Sequence, residues 1–245
     1  MFSEKLLLRL KHSFSVTVLT GAGISAESGV PTFRGKDGLW NNYKVEDIAT
    51  VNAFRNNSKL FWDFYGWRRK LIKDVKPNLG HYALVDIERF FQDFYLITQN
   101  VDNLHISAGS KNVIELHGNI MRTKCSECGT PYDETFYEVT KIPLCQKCSA
   151  LTRPDVVLFG ESLNAKLLQR AQEAAAQCEV FFSIGTSSIV EPAASLPYMA
   201  KGNGAYLVEI NTEKTSLSKN VDEFISGQSG KVLPLLVMMI EKMQS

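Results

Sequence analysis

Val16 to Thr20 is a short apolar, β-branched run that passes directly into Gly21-Ala22-Gly23, and this junction limits the fold more tightly than any other stretch of the 245 residues. Such a run reads as a strand buried on both faces that turns sharply at its carboxyl end. Three more runs share the design: Phe94 to Thr98 ends at Gln99-Asn100, Val180 to Ile184 at Gly185-Thr186, and Tyr206 to Ile210 at Asn211-Thr212. Helical patterns lie between them, among them Ser3 to Lys11 and Ala165 to Gln177. Strands alternating with helices predict an α/β fold, a Rossmann-like parallel sheet with helices on both faces. Ligands of such sheets bind beyond the carboxyl ends of the strands, where these polar tips meet.

Gly21-Ala22-Gly23-Ile24-Ser25-Ala26 fits the pattern G-x-G-x-x-G/A after a strand. The first glycine permits the tight turn, the second lets backbone approach a pyrophosphate, and the small third position permits close packing. A helix starting there presents unpaired N–H groups to phosphate. Alone the motif is weak, because glycine-rich turns are often only turns. The next good strand begins near Phe94 rather than within roughly 30 residues, and no acidic residue caps a nearby second strand, which counts against hydride transfer. Two segments break the alternation. Residues 31–77 carry helical pieces rich in aromatics, including Phe61, Trp62, Phe64, Tyr65 and Trp67, and residues 121–153 carry paired cysteines. Together they predict a smaller lobe, set against a Rossmann-like domain made of residues 1–30, 78–120 and 154–245, with a cleft between.

Cys125-x-x-Cys128 and Cys145-x-x-Cys148 are separated by sixteen residues, inside the range of a four-cysteine zinc site. Four thiolates leave no open position, so one zinc per chain is expected to hold the small lobe together and to take no part in a reaction. Cys178 stands alone after an alanine-rich helix and reads as a small buried hydrophobe. Lys plus Arg number 27 against 26 Asp plus Glu, a balance that argues against nucleic-acid binding driven by bulk charge. Leu233 to Ile240 is too short to span a bilayer and contains Pro234. Glu4, Arg9, Lys11 and His12 interrupt the N-terminal leucines, so no secretory core is read and a cytoplasmic location is expected. His12, His81 and His105 read as ordinary core or surface residues. His117, in Leu116-His117-Gly118, falls at the expected cleft, where an imidazole can take a proton at neutral pH.

Gly21 to Gly35 (GAGISAESGVPTFRG), Thr98 to His105 (TQNVDNLH), Leu116-His117-Gly118, the cysteine pairs, Arg153 to Glu161 (RPDVVLFGE) and Gly185-Thr186-Ser187 occur in the order and spacing of the sirtuins, which the chain resembles over nearly its whole length. Sirtuins are NAD-dependent protein lysine deacylases. The resemblance implies NAD with its pyrophosphate at Gly21, Ala22 and Gly23. It implies nicotinamide and its ribose near Ser25, Gln99, Asn100, Val101 and Asp102, and a covering loop at Phe33 and Arg34. It places adenosine near Gly185, Thr186, Ser187, Asn211, Thr212, Glu213 and the turn at Gln228-Ser229. His117 matches the catalytic histidine, with Asn100 and Asp102 beside it. In the sirtuin reaction the acyl oxygen attacks the nicotinamide ribose and nicotinamide leaves. The histidine then helps a ribose hydroxyl attack the imidate, and water yields free lysine and O-acyl-ADP-ribose.

Tyr65 and Arg68 are three apart and share one side of a helix. A guanidinium beside a phenol can grip an acyl carboxylate, although spacing alone favours a solvated charge beside Arg69 and Lys70. With Thr32 in the Pro-x-Phe-Arg loop, the pair resembles class III sirtuins, which remove succinyl, malonyl and glutaryl groups, and activity on acetyl groups is expected too. The resemblance implies that an acylated peptide lies as an added strand between segments 156–161 and 188–192, touching Val157, Phe159, Gly160 and Glu161. Two residues depart from the class: Leu158 replaces a usual Trp, and Glu191 a usual Tyr or Gln. Three alternatives stand beside the leading reading: a predominant deacetylase, a protein mono-ADP-ribosyltransferase, and a non-enzymatic NAD-sensing module. A monomer is favoured, with no membrane partner.

Overall fold

The computed structural model describes residues 2–32 and 44–244. The chain runs through α1 (Glu4–His12), β1 (Ser15–Thr20), α2 (Ala22–Ala26), α3 (Val45–Ile48), α4 (Val51–Asn56), α5 (Ser58–Ile72), α6 (Leu79–Glu88), β2 (Asp93–Thr98), α7 (Leu104–Ala108) and β3 (Val113–Glu115). It continues through β4 (Gly118–Cys125), β5 (Pro131–Tyr132), β6 (Thr152–Val156), α8 (Ala165–Gln177), β7 (Val180–Ile184), α9 (Leu196–Gly202), β8 (Tyr206–Asn211), β9 (Glu223–Ser226) and α10 (Ser229–Gln244). The helix ends follow from their caps. Ser3 accepts the N–H of Leu6, while Glu4 opens α1 and Arg9, Lys11 and His12 close it, complementing the helix dipole. Asn164 does the same for α8 by accepting from Lys166 and Leu167.

Among the described residues, one sheet has the order β3-β2-β1-β7-β8-β9 with every neighbouring pair parallel. Chain direction across the sheet reverses between β1 and β7, which opens a crevice beyond their carboxyl ends. Alternate residues divide the burial. Val16, Val18, Phe94, Leu96, Val180, Phe182 and Val208 pack with apolar residues of α1, α6 and α10, whereas Leu19, Ile97, Phe181 and Leu207 pack with those of α8 and α9. The predicted sheet with helices on both faces is present. The sequence shows four of its strands to within one residue; β3 and β9 are only three and four residues long and give no pattern of their own.

A second, antiparallel sheet has the order β5-β4-β6 and forms the small lobe with α3 to α5. Its core joins Phe54, Phe61, Trp62, Phe64 and Tyr65 to Ile120, Val139, Val156 and Leu158. Arg69, fully buried on α5, is the main polar tie. Its Nε donates to Ile120 O (2.6 Å), Nη1 to Phe136 O (2.8 Å), and Nη2 to Arg122 O (2.7 Å) and Thr123 Oγ1 (3.1 Å). Trp62 Nε1 adds a bond to Thr152 O at 2.9 Å. Gly66 allows this docking, since a Cβ there would lie 2.4 Å from the Tyr137 carbonyl oxygen. The reading of this stretch as a solvated charge run is therefore corrected: Arg68 and Arg69 are both buried, and Lys70 remains exposed in a pair with Glu138.

Candidate active site

The two strand tips at the chain reversal touch backbone to backbone. Gly23 N–H donates to Gly185 O at 2.8 Å, and Gly21 N–H to Ile184 O at 3.0 Å. A Cβ on Gly23 would stand 2.7 Å from Gly185 Cα and O, and one on Gly21 2.8 Å from Gly185 O. The glycines that the motif assigns to a pyrophosphate are thus required already by the contact between β1 and β7. The short helix α2 begins there, with Gly21 as its cap, but the N–H groups of Gly21, Gly23 and Ile24 are bonded to Ile184 O, Gly185 O and Gly21 O and are not the unpaired donors that the motif leads one to expect.

Beneath the crevice lies a buried polar network. Ser25 Oγ donates to Asp102 Oδ2 at 2.7 Å and accepts from Asn100 Nδ2 at 3.2 Å, while Asn100 Nδ2 also reaches Gly21 O at 3.0 Å. Asp102 Oδ1 accepts from Leu104 N–H at 3.0 Å. Burial raises the Asp102 carboxyl from its ordinary value, opposed by that N–H, by Ser25 and by the charge of Arg68. The N–H of Asn78 approaches His81 Nδ1 at 3.3 Å, so Nδ1 accepts and the proton sits on Nε2, 3.5 Å from Ser25 Oγ. The rings of His81 and His105 meet at 4.8 Å. His105 Nε2 is 2.9 Å from Thr20 Oγ1, which donates to Thr98 Oγ1 at 2.9 Å. Burial pushes the His81 imidazole down to about 4 and that of His105 well below its ordinary value, so both are neutral at pH 7.

His117 is tied to the tip of β2. Its Nδ1 is 3.1 Å from Gln99 O, which can only accept, so Nδ1 carries the proton and Nε2 is left as the acceptor. Burial lowers its pKa, partly offset by that backbone carbonyl. Gln99 Nε2 bonds Thr186 Oγ1 at 3.0 Å, and Asn211 Nδ2 bonds Thr186 O at 3.0 Å, joining the tips of β2, β7 and β8. Val101 and Ser187 are half-buried beside these tips, whereas Thr212 and Glu213 are exposed. Ser229 Oγ and Gly230 N–H both donate to Glu27 Oε1, at 3.1 and 2.8 Å. Phe33 and Arg34 lie outside the described residues.

Tyr65 and Arg68, each 6% exposed, sit where the small lobe meets this network. Burial raises the Tyr65 phenol to about 12 and lowers the Arg68 guanidinium, whose charge is felt by both Tyr65 and Asp102. Arg153 Nη1 donates to Val156 O at 2.8 Å and Nη2 pairs with Glu161, whose second oxygen accepts from Leu158 N–H at 2.9 Å. Val157 N–H reaches His117 O at 2.9 Å, and Phe159 N–H reaches Ala49 O at 2.9 Å, so this segment bridges the lobes. The Phe159 ring and Gly160 are exposed, but Leu158 is buried in the lobe core.

Cys125, Cys128, Cys145 and Cys148 bring their sulfurs within 4.8 Å of one another. The separations are 3.4 Å for Cys125–Cys148, 3.6 Å for Cys128–Cys145 and 3.5 Å for Cys148–Cys128. A zinc tetrahedron with Zn–S bonds of about 2.3 Å has edges of about 3.8 Å, so the donor set fits the metal. Backbone N–H groups of Glu127 and Lys147 point at Cys125 and Cys145.

Residues 21–192 match the family model described as "Sir2 family". The chain belongs to the Sir2 family. It is 54% identical to the NAD-dependent protein deacylase of Aquifex aeolicus (strain VF5), over 86% of this chain and 89% of that protein. A Sir2 homologue solved as an NAD complex superposes with a TM-score of 0.94 at 42% identity, covering 100% of this chain and 96% of the other. A Sir2 solved with a p53 peptide and NAD+ superposes at 0.87 with 32% identity, covering both chains fully.

In this Sir2 chain Ser25, Asn100 and Asp102, singled out in the sequence, are joined by hydrogen bonds, and His117 is bonded to Gln99, the residue before Asn100. The sequence reading misses His81, His105, Thr20, Thr98, Glu27 and Arg153. His81 has a signal in hindsight: Asn78 and His81 are three apart and form a reciprocal capping box. Glu27, Thr98, His105 and Arg153 lie within the stretches that carry the resemblance but are not singled out by it, and Thr20 ends a strand that is read only for its burial.

Proposed function

We propose that this Sir2-family chain removes acyl groups from protein lysines at the expense of NAD, taking succinyl and malonyl as well as acetyl groups. The observation that carries the reading is His117, held neutral with Nδ1–H on the Gln99 carbonyl and Nε2 left to accept a proton. Gly21, Ala22 and Gly23 would hold the pyrophosphate, Ser25, Asn100 and Asp102 the nicotinamide end, and Thr186, Ser187, Asn211 and Ser229 the adenosine end. NAD supplies a ribose carbon that accepts the acyl oxygen as nicotinamide departs. His117 takes the proton of a ribose hydroxyl, which a neutral imidazole can do at pH 7. Asp102, kept in place by Ser25 and Leu104, turns a fixed negative end toward positive charge developing at the sugar. A Sir2 relative solved with a peptide supports peptide binding, and the peptide is read as an extended strand across segment 157–161. Zinc at the four cysteines is structural.

Arg68 carries the finer reading. A buried guanidinium beside a buried phenol, where the lobes meet, is an arrangement that selects a carboxylate at the end of an acyl chain. One peptide bearing acetyl-, malonyl- or succinyl-lysine, assayed with and without NAD, tests both levels. Nicotinamide release that requires NAD and acyl-lysine together is expected, with turnover of all three peptides. ADP-ribose transferred to protein in place of O-acyl-ADP-ribose would replace the deacylase reading, and turnover of acetyl alone would remove the acidic-acyl preference.

A further inference from the structure

Glu209 lies on β8 between Ser183 of β7 and Phe224 of β9, in a row that continues through Leu19, Ile97 and Ile114, and it is fully buried with 0% exposure. An apolar residue would cost less there, because a buried carboxyl must be compensated by hydrogen bonds. The compensation comes from one loop, the segment that follows β8. Thr215 Oγ1 donates to Glu209 Oε1 at 2.5 Å, and Ser218 Oγ donates to Glu209 Oε2. Each hydroxyl also accepts a backbone N–H of the same loop: Leu217 N–H to Thr215 Oγ1 at 3.1 Å, and Thr215 N–H to Ser218 Oγ at 2.8 Å. The polarity is therefore fixed, with both hydroxyl protons pointing at the carboxyl oxygens. The same loop begins at Asn211, whose side chain holds the Thr186 carbonyl across the crevice, and Ser216 Oγ reaches Ser188 O at 3.4 Å.

We infer that Glu209 is a positioning residue: it anchors the 212–219 loop to the sheet and so sets Asn211 and its neighbours for the adenosine half of the cofactor. This rests on the NAD reading above. Its action is through Thr215 and Ser218 rather than on the ligand, so it affects cofactor affinity and leaves acyl chemistry alone. Leu in its place removes both acceptors. Gln offers one acceptor and one donor, so one hydroxyl proton is stranded.

The test is steady-state kinetics with NAD and an acyl-peptide varied in turn, together with calorimetry of ADP-ribose and a melting curve for each variant. Glu209→Leu is expected to raise KM for NAD at least tenfold, with kcat and peptide KM within twofold. Glu209→Gln should raise it about threefold. Thr215→Val with Ser218→Ala, which changes loop residues alone at a cost in stability from the stranded carboxyl, should match Glu209→Leu in KM for NAD and keep the proposal testable if Glu209→Leu does not fold. Adding Glu209→Gln to that pair should produce no further rise. An unchanged KM for NAD and unchanged ADP-ribose affinity in the Thr215/Ser218 pair, with only a lower melting temperature, would reduce Glu209 to a structural residue. Absence of ADP-ribose binding by the wild-type protein would overturn the cofactor reading, and this inference with it.

Discussion

In the parallel sheet, Phe94, Leu96, Phe181 and Phe182 lie between helices on both faces, and several dozen apolar side chains share the burial. In the small lobe, exposed Arg122 and half-buried Lys124 alternate along β4 with buried Thr123 and Cys125, and cohesion comes from one aromatic helix, one buried arginine and four sulfurs. Spread cohesion tolerates the loss of one member; concentrated cohesion does not. Trp62 and Trp67 lie on α5, while Trp40 falls outside the described residues, so the fluorescence of the α5 pair reports the small lobe while far-UV circular dichroism is dominated by the sheet and its helices.

The largest effect expected is that of Cys145→Ser. Structural zinc in small modules is worth about 10–16 kcal/mol at pH 7, far more than a lobe of this size gains otherwise. The variant should bind no zinc and should be cleaved by protease within residues 121–153, while most of the far-UV signal persists. Full zinc content in the variant, or loss of both signals in one step, would break the contrast between the regions.

Arg69→Leu comes next. It keeps apolar bulk but strands the carbonyls of Ile120, Arg122 and Phe136, for a cost of about 3–5 kcal/mol. Urea titration should show the fluorescence transition moving to lower concentration than the far-UV transition. Equal displacement of the two would mean that the lobes unfold as one.

The same contrast explains what was legible. Strands buried on both faces carry their own signature, so β1, β2, β7 and β8 stand out. The zinc ligands are equally plain, because a metal fixes residue type and spacing at once. Strands β4 to β6 are silent, since a hydrogen-bonded ladder beside a metal site needs little apolar patterning. Within the site, Ser25, Asn100, Asp102 and His117 are visible through motif resemblance. Arg69 and Glu209 are not: Arg69 meets partners 51 or more positions away, most of them on β4, and Glu209 meets hydroxyls at most 9 positions away in a loop without periodicity.

Arg68 sits on the border between the regions, a small-lobe residue whose charge is felt by Asp102 of the large one. Arg68→Met should cost about 2–5 kcal/mol in kcat/KM on a succinyl peptide, the usual penalty for leaving a buried charge unpaired. The acetyl peptide should lose at least tenfold less, its residual loss measuring the support that Arg68 gives Asp102. Equal losses on the two peptides would assign Arg68 to the cofactor side and remove the selectivity claim.

The histidine pair offers a pH test of the large domain. His81 is held near 4 in the folded protein by burial and returns to about 6.5 when unfolded. The unfolded chain therefore binds the extra proton between those values. The stabilisation is complete above pH 6.5 and declines as pH falls toward 4, by about 3 kcal/mol from His81. His105 shifts in the same direction for the same reason. Far-UV urea midpoints at pH 7, 6 and 5 should fall in step, and less steeply in His81→Asn. Flat midpoints would show that neither imidazole is neutralised by folding.

Tyr65→Phe is the smallest change and separates ring from hydroxyl. The ring belongs to the lobe: its centroid lies 4.5 Å from that of Phe61 and 5.2 Å from that of Phe64, and phenylalanine keeps those contacts. The hydroxyl is a different matter, since burial raises its pKa to about 12 and so keeps its proton available to donate. A neutral donor beside Arg68 adds one hydrogen bond to an acyl carboxylate and none to an acetyl methyl. Its removal should cost roughly 0.5–1.5 kcal/mol in kcat/KM, on succinyl and malonyl peptides only, with the fluorescence transition unmoved. A shifted fluorescence transition would place the hydroxyl in the cohesion of the lobe, and an equal loss on acetyl-lysine would place it with Asp102 instead of the acyl chain.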